Sequence, residues 1–141
     1  MEGLTGYGFI NEFQGVIDKV KQMMSSKIVP EITVEELSAK FRSQDHFTLL
    51  DVREAWELDY AKITDDRLEV LPMSRLAEEG IGALPESARS HEADVFVLCH
   101  HGVRSAEVVT WLAEQGWKNT FSVAGGIDEY ARKIDGSVGF Y

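Results

Sequence analysis

The stretch that decides the fold is Val95-Phe-Val-Leu-Cys-His-His-Gly-Val-Arg-Ser105. It opens with four apolar residues in a row, which is typical of a short strand buried on both faces of a parallel sheet. From Ser105 to Gln115 the apolar residues return at helical spacing, and Gly116 follows where a helix would end. The sequence therefore predicts a buried strand, a short loop and a helix, with the loop at the carboxyl end of the strand.

This loop carries the only cysteine of the chain, Cys99, and ends at Arg104. Successive amides of such a loop can point inward and form an anion-binding nest. The start of the helix adds partial positive charge, and Arg104 adds a full one. Together these features favour the thiolate form of Cys99 and predict a nucleophilic sulfur. The alternative is a cysteine that merely ends a core strand, and the combination of strand end, Gly102 and Arg104 argues against it.

Two histidines, His100 and His101, follow Cys99 and suggest a metal site. Three consecutive side chains rarely converge on one ion, however, and the chain has no Cys-x-x-Cys or His-x-x-x-His spacing to complete a site. We therefore predict neither a metal nor another cofactor.

Strands and helices alternate on both sides of the central stretch. Thr33 and Glu36 have the spacing of a capping box, in which each side chain binds the other residue's backbone amide. The other predicted elements are a helix from Val34, strands at Phe47–Val52 and Val70–Leu71, a short helix capped by Ser74, a strand at Phe121–Val123 and a helix at Ile127–Lys133. This alternation predicts an α/β domain with a mostly parallel sheet, helices on both faces and a ligand site beyond the carboxyl ends of the strands.

Composition limits the classes of function. The chain has 141 residues, enough for one domain, and 14 Lys and Arg against 24 Asp and Glu give a net charge of −10. Such an acidic surface disfavours nucleic acid and membrane partners. A single cysteine cannot form an internal disulfide, which indicates a reducing compartment. With no targeting segment or membrane-length apolar run in the sequence, we predict a cytoplasmic location.

The chain divides into a helical extension at 1–29, a main domain at 30–134 and a C-terminal tail at 135–141. Within the extension, apolar residues at helical spacing over 9–24 predict an amphipathic helix. We expect this helix to pack on the domain; the alternative is that it forms a homodimer.

The loop motif Cys99–Ser105 resembles the active-site loop of the rhodanese family of sulfurtransferases. Further landmarks of that family occur in the same order, and the resemblance covers about residues 30–134. These landmarks are Ile32–Leu37, Leu49–Glu54 and Leu112–Gly116 followed by Ala124–Asp128. The resemblance implies a rhodanese-like three-layer α/β domain.

The resemblance also implies a reaction. The family cysteine takes a sulfane sulfur from a donor such as thiosulfate, holds it as a persulfide and passes it to a thiophilic acceptor such as cyanide, a thiol or another protein. By resemblance Cys99 is the nucleophile, and the substrate-binding loop consists of His100, His101, Gly102, Val103, Arg104 and Ser105.

Asp51 and Arg53 match the strand-end motif of the family. The resemblance assigns Asp51 to bracing the loop and Arg53 to a salt bridge or the pocket rim, while a solvated charge pair is the alternative. The chain departs from the family after Tyr60, where Lys62-Ile-Thr-Asp-Asp66 replaces a His-Ile-Pro-Gly type of turn. That wall of the pocket is therefore expected to differ.

Two other functions remain open. One is a non-catalytic rhodanese-like module that binds a partner or senses sulfur or oxidants through Cys99. The other is a cysteine phosphatase. Four residues separate Cys99 from Arg104, whereas the cysteine phosphatases have five between the same residue types. A tighter ring of amides disfavours a phosphoryl group and leaves room for a single sulfur.

Overall fold

The computed structural model of the protein describes residues 28–141 and, before them, Gly15. The predicted amphipathic helix at 9–24, and the homodimer that it would form, lie outside the described residues apart from Gly15. In the described part, no helix has both the length and the apolar character needed to cross a membrane.

The described strands form one parallel sheet in the order β1-β5-β4-β2-β3. Strand β4 lies at the centre, with β2 on one side and β5 on the other. The strands are β1 Glu31–Ile32, β2 Thr48–Asp51, β3 Leu68–Val70, β4 Asp94–Leu98 and β5 Asn119–Val123. Because every strand runs the same way, the loops that follow β2, β4 and β5 meet at one edge.

Four described α-helices cover the sheet, and short 3-10 turns join the elements. The helices are α1 Val34–Phe41, α2 Met73–Glu79, α3 Val103–Glu114 and α4 Gly126–Lys133, and the 3-10 turns are Ala55–Asp59, Gly80–Ala83, Glu86–Ala88 and Gly136–Val138.

Alternate residues of the central strands enter two separate cores. Leu50 and Val97 pack in the core that contains Leu76 of α2 and Leu112 of α3. Their neighbours Leu49 and Phe96 pack in the core that contains Leu37 of α1 and Ile127 of α4. The sheet is therefore buried on both faces, which explains the continuous apolar runs. The predicted three-layer α/β fold is confirmed.

Local predictions at the helix starts have mixed outcomes. The capping box before α1 is confirmed, since Glu36 N donates to Thr33 Oγ1 at 3.1 Å and Thr33 N donates to Glu36 Oε1 at 3.0 Å. The prediction that Ser74 caps a helix is wrong, because α2 begins at Met73 after Pro72. The Ser74 hydroxyl instead donates to Glu54 at 2.7 Å, so a contact distant in sequence takes the place of the local cap.

The third strand is displaced from its predicted position at Val70–Leu71 to Leu68–Val70. Leu71 is buried, and its amide donates to the Asp51 carbonyl at 2.8 Å. The predicted helix after the cysteine begins two residues earlier than expected, at Val103.

Candidate active site

Cys99 follows the last residue of β4, at the centre of the carboxyl edge of the sheet. Its side chain is 1% exposed. The loop that follows reverses direction at Gly102, which has a φ of +98° and is the N-cap of α3. A Cβ at Gly102 would lie 3.2 Å from the amide nitrogen of Gly125, so both the conformation and the close approach favour glycine.

Two backbone amides point at the Cys99 sulfur. Gly102 N donates to Sγ at 3.1 Å and Ser105 N donates to it at 3.3 Å. Ser105 is the third residue of α3, so its amide is one of the donors that a helix leaves without a partner in its first turn. Of the predicted nest of successive loop amides, the structure shows these two donors at the sulfur, one from the loop and one from the start of the helix.

A buried pair of hydroxyls completes the surroundings of the sulfur. Ser105 Oγ lies 3.3 Å from Cys99 Sγ and 2.7 Å from Ser122 Oγ of β5, and both serines are fully buried. Either hydroxyl of the pair can donate to the other. The Ser105 hydroxyl can therefore accept a proton from a Cys99 thiol or donate to a thiolate. Sequence reasoning missed Ser122, because only the pairing of β4 with β5 places it here.

The start of α4 holds the loop from the other side. Ile127 N donates to the Cys99 carbonyl at 2.9 Å, and Asp128 N donates to the His100 carbonyl at 3.1 Å. Gly126 allows this approach, since a Cβ there would lie 2.5 Å from the Cys99 carbonyl oxygen. Helix α3 therefore directs amides at the sulfur, while α4 fixes the backbone that carries it.

Arg104 forms a two-pronged ion pair with Glu57. Its Nη1 and Nη2 donate to the Glu57 carboxylate at 2.7 and 2.8 Å. The Glu57 side chain is 4% exposed, and the hydrogen bond from Arg104 is the main reason that its pKa is lowered to about 2. The same hydrogen bond raises the pKa of Arg104. The sequence predicted the positive charge of Arg104 but not the carboxylate that shares it, because Glu57 lies 47 residues away.

Asp51 and Arg53 form a buried pair beneath this site, with side chains 1% and 0% exposed. Arg53 donates to Asp51 from Nη2 at 2.8 Å and from Nε at 3.0 Å. The predicted salt bridge of Arg53 is present, and the alternatives of a solvated pair and a rim position are wrong, since water reaches neither side chain. In the described part of the chain the Asp51 carboxylate bonds to Arg53 alone. It therefore braces Arg53 instead of the loop.

The other loop side chains form the outer surface. Val103 is 69% exposed and the His101 side chain 59% exposed. The His100 ring lies between His101 and Tyr141, with ring centroids 3.8 and 3.7 Å away. Burial lowers the pKa of His100, and the nearby His101 lowers it further. Its surroundings therefore favour the neutral form of the His100 ring.

The structure brings one further acid to the histidines. Nitrogen atoms of His100 and His101 and a carboxylate oxygen of Asp128 lie within 4.8 Å of one another. Asp128 also accepts from Arg132 at 2.8 Å. No spacing in the sequence predicts this grouping, because Asp128 lies on α4, far along the chain from the two histidines.

The segment that departs from the family pattern lies against the C-terminal tail. Lys62 N donates to the Val138 carbonyl at 2.9 Å, and Gly139 is packed so closely on Tyr60 and Ala61 that a Cβ would overlap the Tyr60 carbonyl oxygen. Residues 60–62 therefore lie in contact with Val138 and Gly139 of the tail.

Comparison with known proteins agrees with this geometry. Residues 33–133 match the Rhodanese-like domain family. Over 117 residues the chain is 36% identical to the Rhodanese-like/PpiC domain-containing protein 12, chloroplastic, of Arabidopsis thaliana, a match that covers 80% of this chain and 38% of that protein. It is 29% identical over 102 residues to thiosulfate sulfurtransferase GlpE of Actinobacillus succinogenes, which covers 72% of this chain and 84% of the relative.

Among solved structures, a rhodanese-related protein of Thermoplasma volcanium superposes with a TM-score of 0.60 at 30% identity. The match covers 74% of this chain and 93% of that one. The matched segment spans less than half the length of several curated relatives. The family match over most of the chain, with Cys99 at the centre of the sheet edge, shows that this protein belongs to the rhodanese-like domain family.

Proposed function

We propose that this protein is a sulfurtransferase that carries a sulfane sulfur on Cys99. The observation that carries the proposal is the pair of amides, from Gly102 and Ser105, that point at a buried Cys99 Sγ. Hydrogen bonds to an anionic sulfur are charge-assisted, so this arrangement stabilises the Cys99 thiolate, both when it attacks the donor and when it is released from the persulfide. Relatives named as thiosulfate sulfurtransferases support this type of reaction.

The proposed reaction has two balanced steps. In the first, the Cys99 thiolate attacks the outer sulfur of thiosulfate, the sulfur–sulfur bond of thiosulfate breaks, and sulfite leaves with the bonding electron pair. In the second, cyanide or a thiolate attacks the outer sulfur of the Cys99 persulfide. The bond between the two sulfurs breaks, and the Cys99 thiolate is regenerated. Neither step needs a metal or an external oxidant.

The residues around Cys99 have separate roles in this scheme. The amides of Gly102 and Ser105 stabilise negative charge on sulfur, and the Ser105 hydroxyl adapts to the thiol or the thiolate. Arg104 is held by Glu57 but is 32% exposed, so its guanidinium can still meet an anionic donor such as thiosulfate. The exposed side chains of His101 and Val103 form the rim.

Intact-mass measurement tests the proposal, because the chain has one cysteine. Incubation with thiosulfate should add the mass of one sulfur atom, and cyanide should remove it with formation of thiocyanate. Cys99→Ser should show neither change while retaining its circular dichroism spectrum. Transfer of sulfur by Cys99→Ser above the uncatalysed background would show that the assignment is wrong.

The same samples separate the two alternative functions. A protein that takes up one sulfur but does not release it repeatedly to cyanide or thiols would act as a sulfur-sensing module. Hydrolysis of an aryl phosphate that depends on Cys99 would identify a phosphatase, which the four-residue loop disfavours. A cytoplasmic location and self-association through residues 9–24 stay predictions, and cell fractionation and sedimentation of the full chain would test them.

A further inference from the structure

The tail at 135–141 reaches the candidate site although it lies outside the part of the chain that matches the family. The Asp135 carboxylate accepts from Ser137 N at 3.0 Å and starts the 3-10 turn Gly136–Val138. Gly139, with a φ of +107°, then lies directly against the Tyr60 backbone. These contacts deliver Tyr141 to a defined position beside the Cys99 loop.

The Tyr141 hydroxyl joins the two arginines of the site. It donates to Glu57 Oε1 at 2.8 Å and accepts from Arg53 Nη1 at 3.2 Å. The oxygen that it contacts on Glu57 also accepts from Arg104 Nη2 at 2.8 Å. A continuous path of hydrogen bonds therefore runs from the buried Arg53 through Tyr141 and Glu57 to Arg104.

The Tyr141 ring makes a second contact, this time with the loop. It stacks on His100 with centroids 3.7 Å apart and planes inclined by 6°. It also stacks on Tyr60 with centroids 5.9 Å apart. One side chain from the tail thus touches both the loop and the carboxylate that orients Arg104.

We propose that Tyr141 is a positioning residue of the site, whose hydroxyl holds Glu57 so that the partly exposed Arg104 stays beside the Cys99 loop and receives an anionic reagent. Without this hydroxyl, Glu57 Oε1 loses one of its donors, and Arg53 Nη1 loses an acceptor. The guanidinium of Arg104 is then less well fixed, and the preference of Cys99 for anionic reagents falls. The relevance to sulfur donors rests on the proposed function, but the anion preference itself does not.

A matched pair of alkylating reagents measures this preference without any sulfur chemistry. Iodoacetate is anionic and iodoacetamide is its neutral analogue, and both modify the single cysteine, Cys99. We expect Tyr141→Phe to lower the ratio of the iodoacetate rate to the iodoacetamide rate by about fivefold, the size expected from the loss of one hydrogen bond of ordinary strength. The phenylalanine keeps the stacking on His100, so a packing role alone would leave the ratio unchanged.

Two further variants supply the controls. Tyr130→Phe removes a tyrosine hydroxyl from the core under α4 and should leave the ratio as in the unmodified protein. Gly139→Ala adds a Cβ that overlaps the Tyr60 carbonyl. Because this clash shifts the tail and with it Tyr141, the variant should reproduce the effect of Tyr141→Phe without changing the tyrosine itself. If Tyr141→Phe or Gly139→Ala has the ratio of the unmodified protein, the proposal is wrong.

Steady-state kinetics with thiosulfate and cyanide then relate the residue to the reaction. Tyr141→Phe should raise KM for thiosulfate by about fivefold with a smaller change in kcat, because the lost contact orients Arg104 and does not touch sulfur. An unchanged KM would overturn the positioning role. If the unmodified protein transfers no sulfur, the proposed function fails, whereas a ratio that drops in Tyr141→Phe still supports the positioning role.

Discussion

Two Asp-x-Arg motifs of the chain, Asp51-Val-Arg53 and Asp65-Asp-Arg67, fold in the same way in different surroundings. In each, the Asp carboxylate accepts from the backbone amide of the arginine two residues later, at 3.1 and 2.9 Å. In each, Nε and Nη2 of the arginine also bind that carboxylate. The local turn and the two-pronged ion pair are therefore the same.

The two arginines differ in where their remaining donors go. Arg53 is fully buried, and its Nη1 binds the Ala61 carbonyl at 2.8 Å and the Tyr141 hydroxyl. The Arg67 side chain is 22% exposed. It lies over the Phe47 ring and binds carbonyls at and after the end of α1, those of Lys40, Phe41, Ser43 and Asp45.

This difference shows that the local motif determines the turn. The burial of the ion pair determines how much the pair contributes to stability and which part of the protein it holds. A buried ion pair becomes very costly once one partner is removed, because the other charge is left without water. A pair at the surface can replace its partner by solvent. Arg53 therefore holds buried groups beside the candidate site, and Arg67 binds the C-terminal end of α1.

The largest expected effect comes from the buried motif. Asp51→Asn keeps the shape of the side chain but leaves the Arg53 charge without its carboxylate. We expect a loss of about 3 to 5 kcal/mol in the free energy of unfolding, measured by urea denaturation at pH 7. The matched variant Asp65→Asn should cost about 1 kcal/mol, since Arg67 keeps its carbonyl partners and some contact with water. Equal losses in the two variants would remove the distinction between the motifs.

The second prediction concerns Glu57, which joins the buried motif to Arg104. Its pKa in the folded protein, about 2, is lower than the ordinary value of 4.5. A lowered pKa means that the carboxylate form stabilises the fold above pH 4.5, and this contribution disappears as the pH falls from 4.5 towards 2. From the size of the shift, we expect the contribution to be about 3 kcal/mol at neutral pH.

Glu57→Gln tests this expectation. The variant should be less stable than the unmodified protein at pH 7, and the difference should shrink between pH 4.5 and pH 2. Chemical denaturation at several pH values measures it. Glu79→Gln, which changes an exposed carboxylate on α2, is the matched control and should change the free energy of unfolding at pH 7 by less than about 1 kcal/mol. A constant difference at every pH would contradict the assigned protonation of Glu57.

The third prediction isolates the role of Arg67. Arg67→Lys keeps the charge but loses the planar group that reaches several carbonyls at once. We expect a loss of about 1 kcal/mol in stability and faster hydrogen exchange of the amides around residues 40–45, with the Cys99 loop unaffected. Exchange that accelerates equally in the loop would show that the two regions are coupled.

The contacts that sequence could predict are those between neighbours in the chain. The apolar run at Phe96 and Val97 predicts a buried strand, and the spacing of Thr33 and Glu36 predicts a helix cap. Because Cys99 lies between a strand and a helix, with a glycine in the loop, the sequence also predicts that its sulfur lies at the edge of the sheet. Each of these follows from a periodicity or a spacing of a few residues.

The missed contacts join residues that are far apart in the chain. A 3-10 turn brings Glu57 to the site, the pairing of β4 with β5 brings Ser122, and the path of the tail brings Tyr141. None of these residues has a regular spacing from Cys99 in the sequence. The rim position of Arg53 and the alternative of a solvated Asp51–Arg53 pair are wrong for a related reason. A charged pair after a strand looks solvated until the turn Ala55–Asp59 and the tail cover it.

The smallest effect is expected where an arginine pair has neither burial nor a fixed partner network. Arg75 binds Glu79 at 2.7 Å along one face of α2, but the two side chains are 54% and 46% exposed. Water already solvates both charges, so the gain from pairing is close to the entropy lost in holding two long side chains. Arg75→Met should therefore change the free energy of unfolding by less than about 0.5 kcal/mol at 0.15 M salt. Across Asp51→Asn, Asp65→Asn and Arg75→Met the exposure of the ion pair rises and the number of further partners of the arginine falls. A loss from Arg75→Met as large as that from Asp65→Asn would show that neither the partial burial of Arg67 nor its carbonyl partners add to the stability of a surface pair.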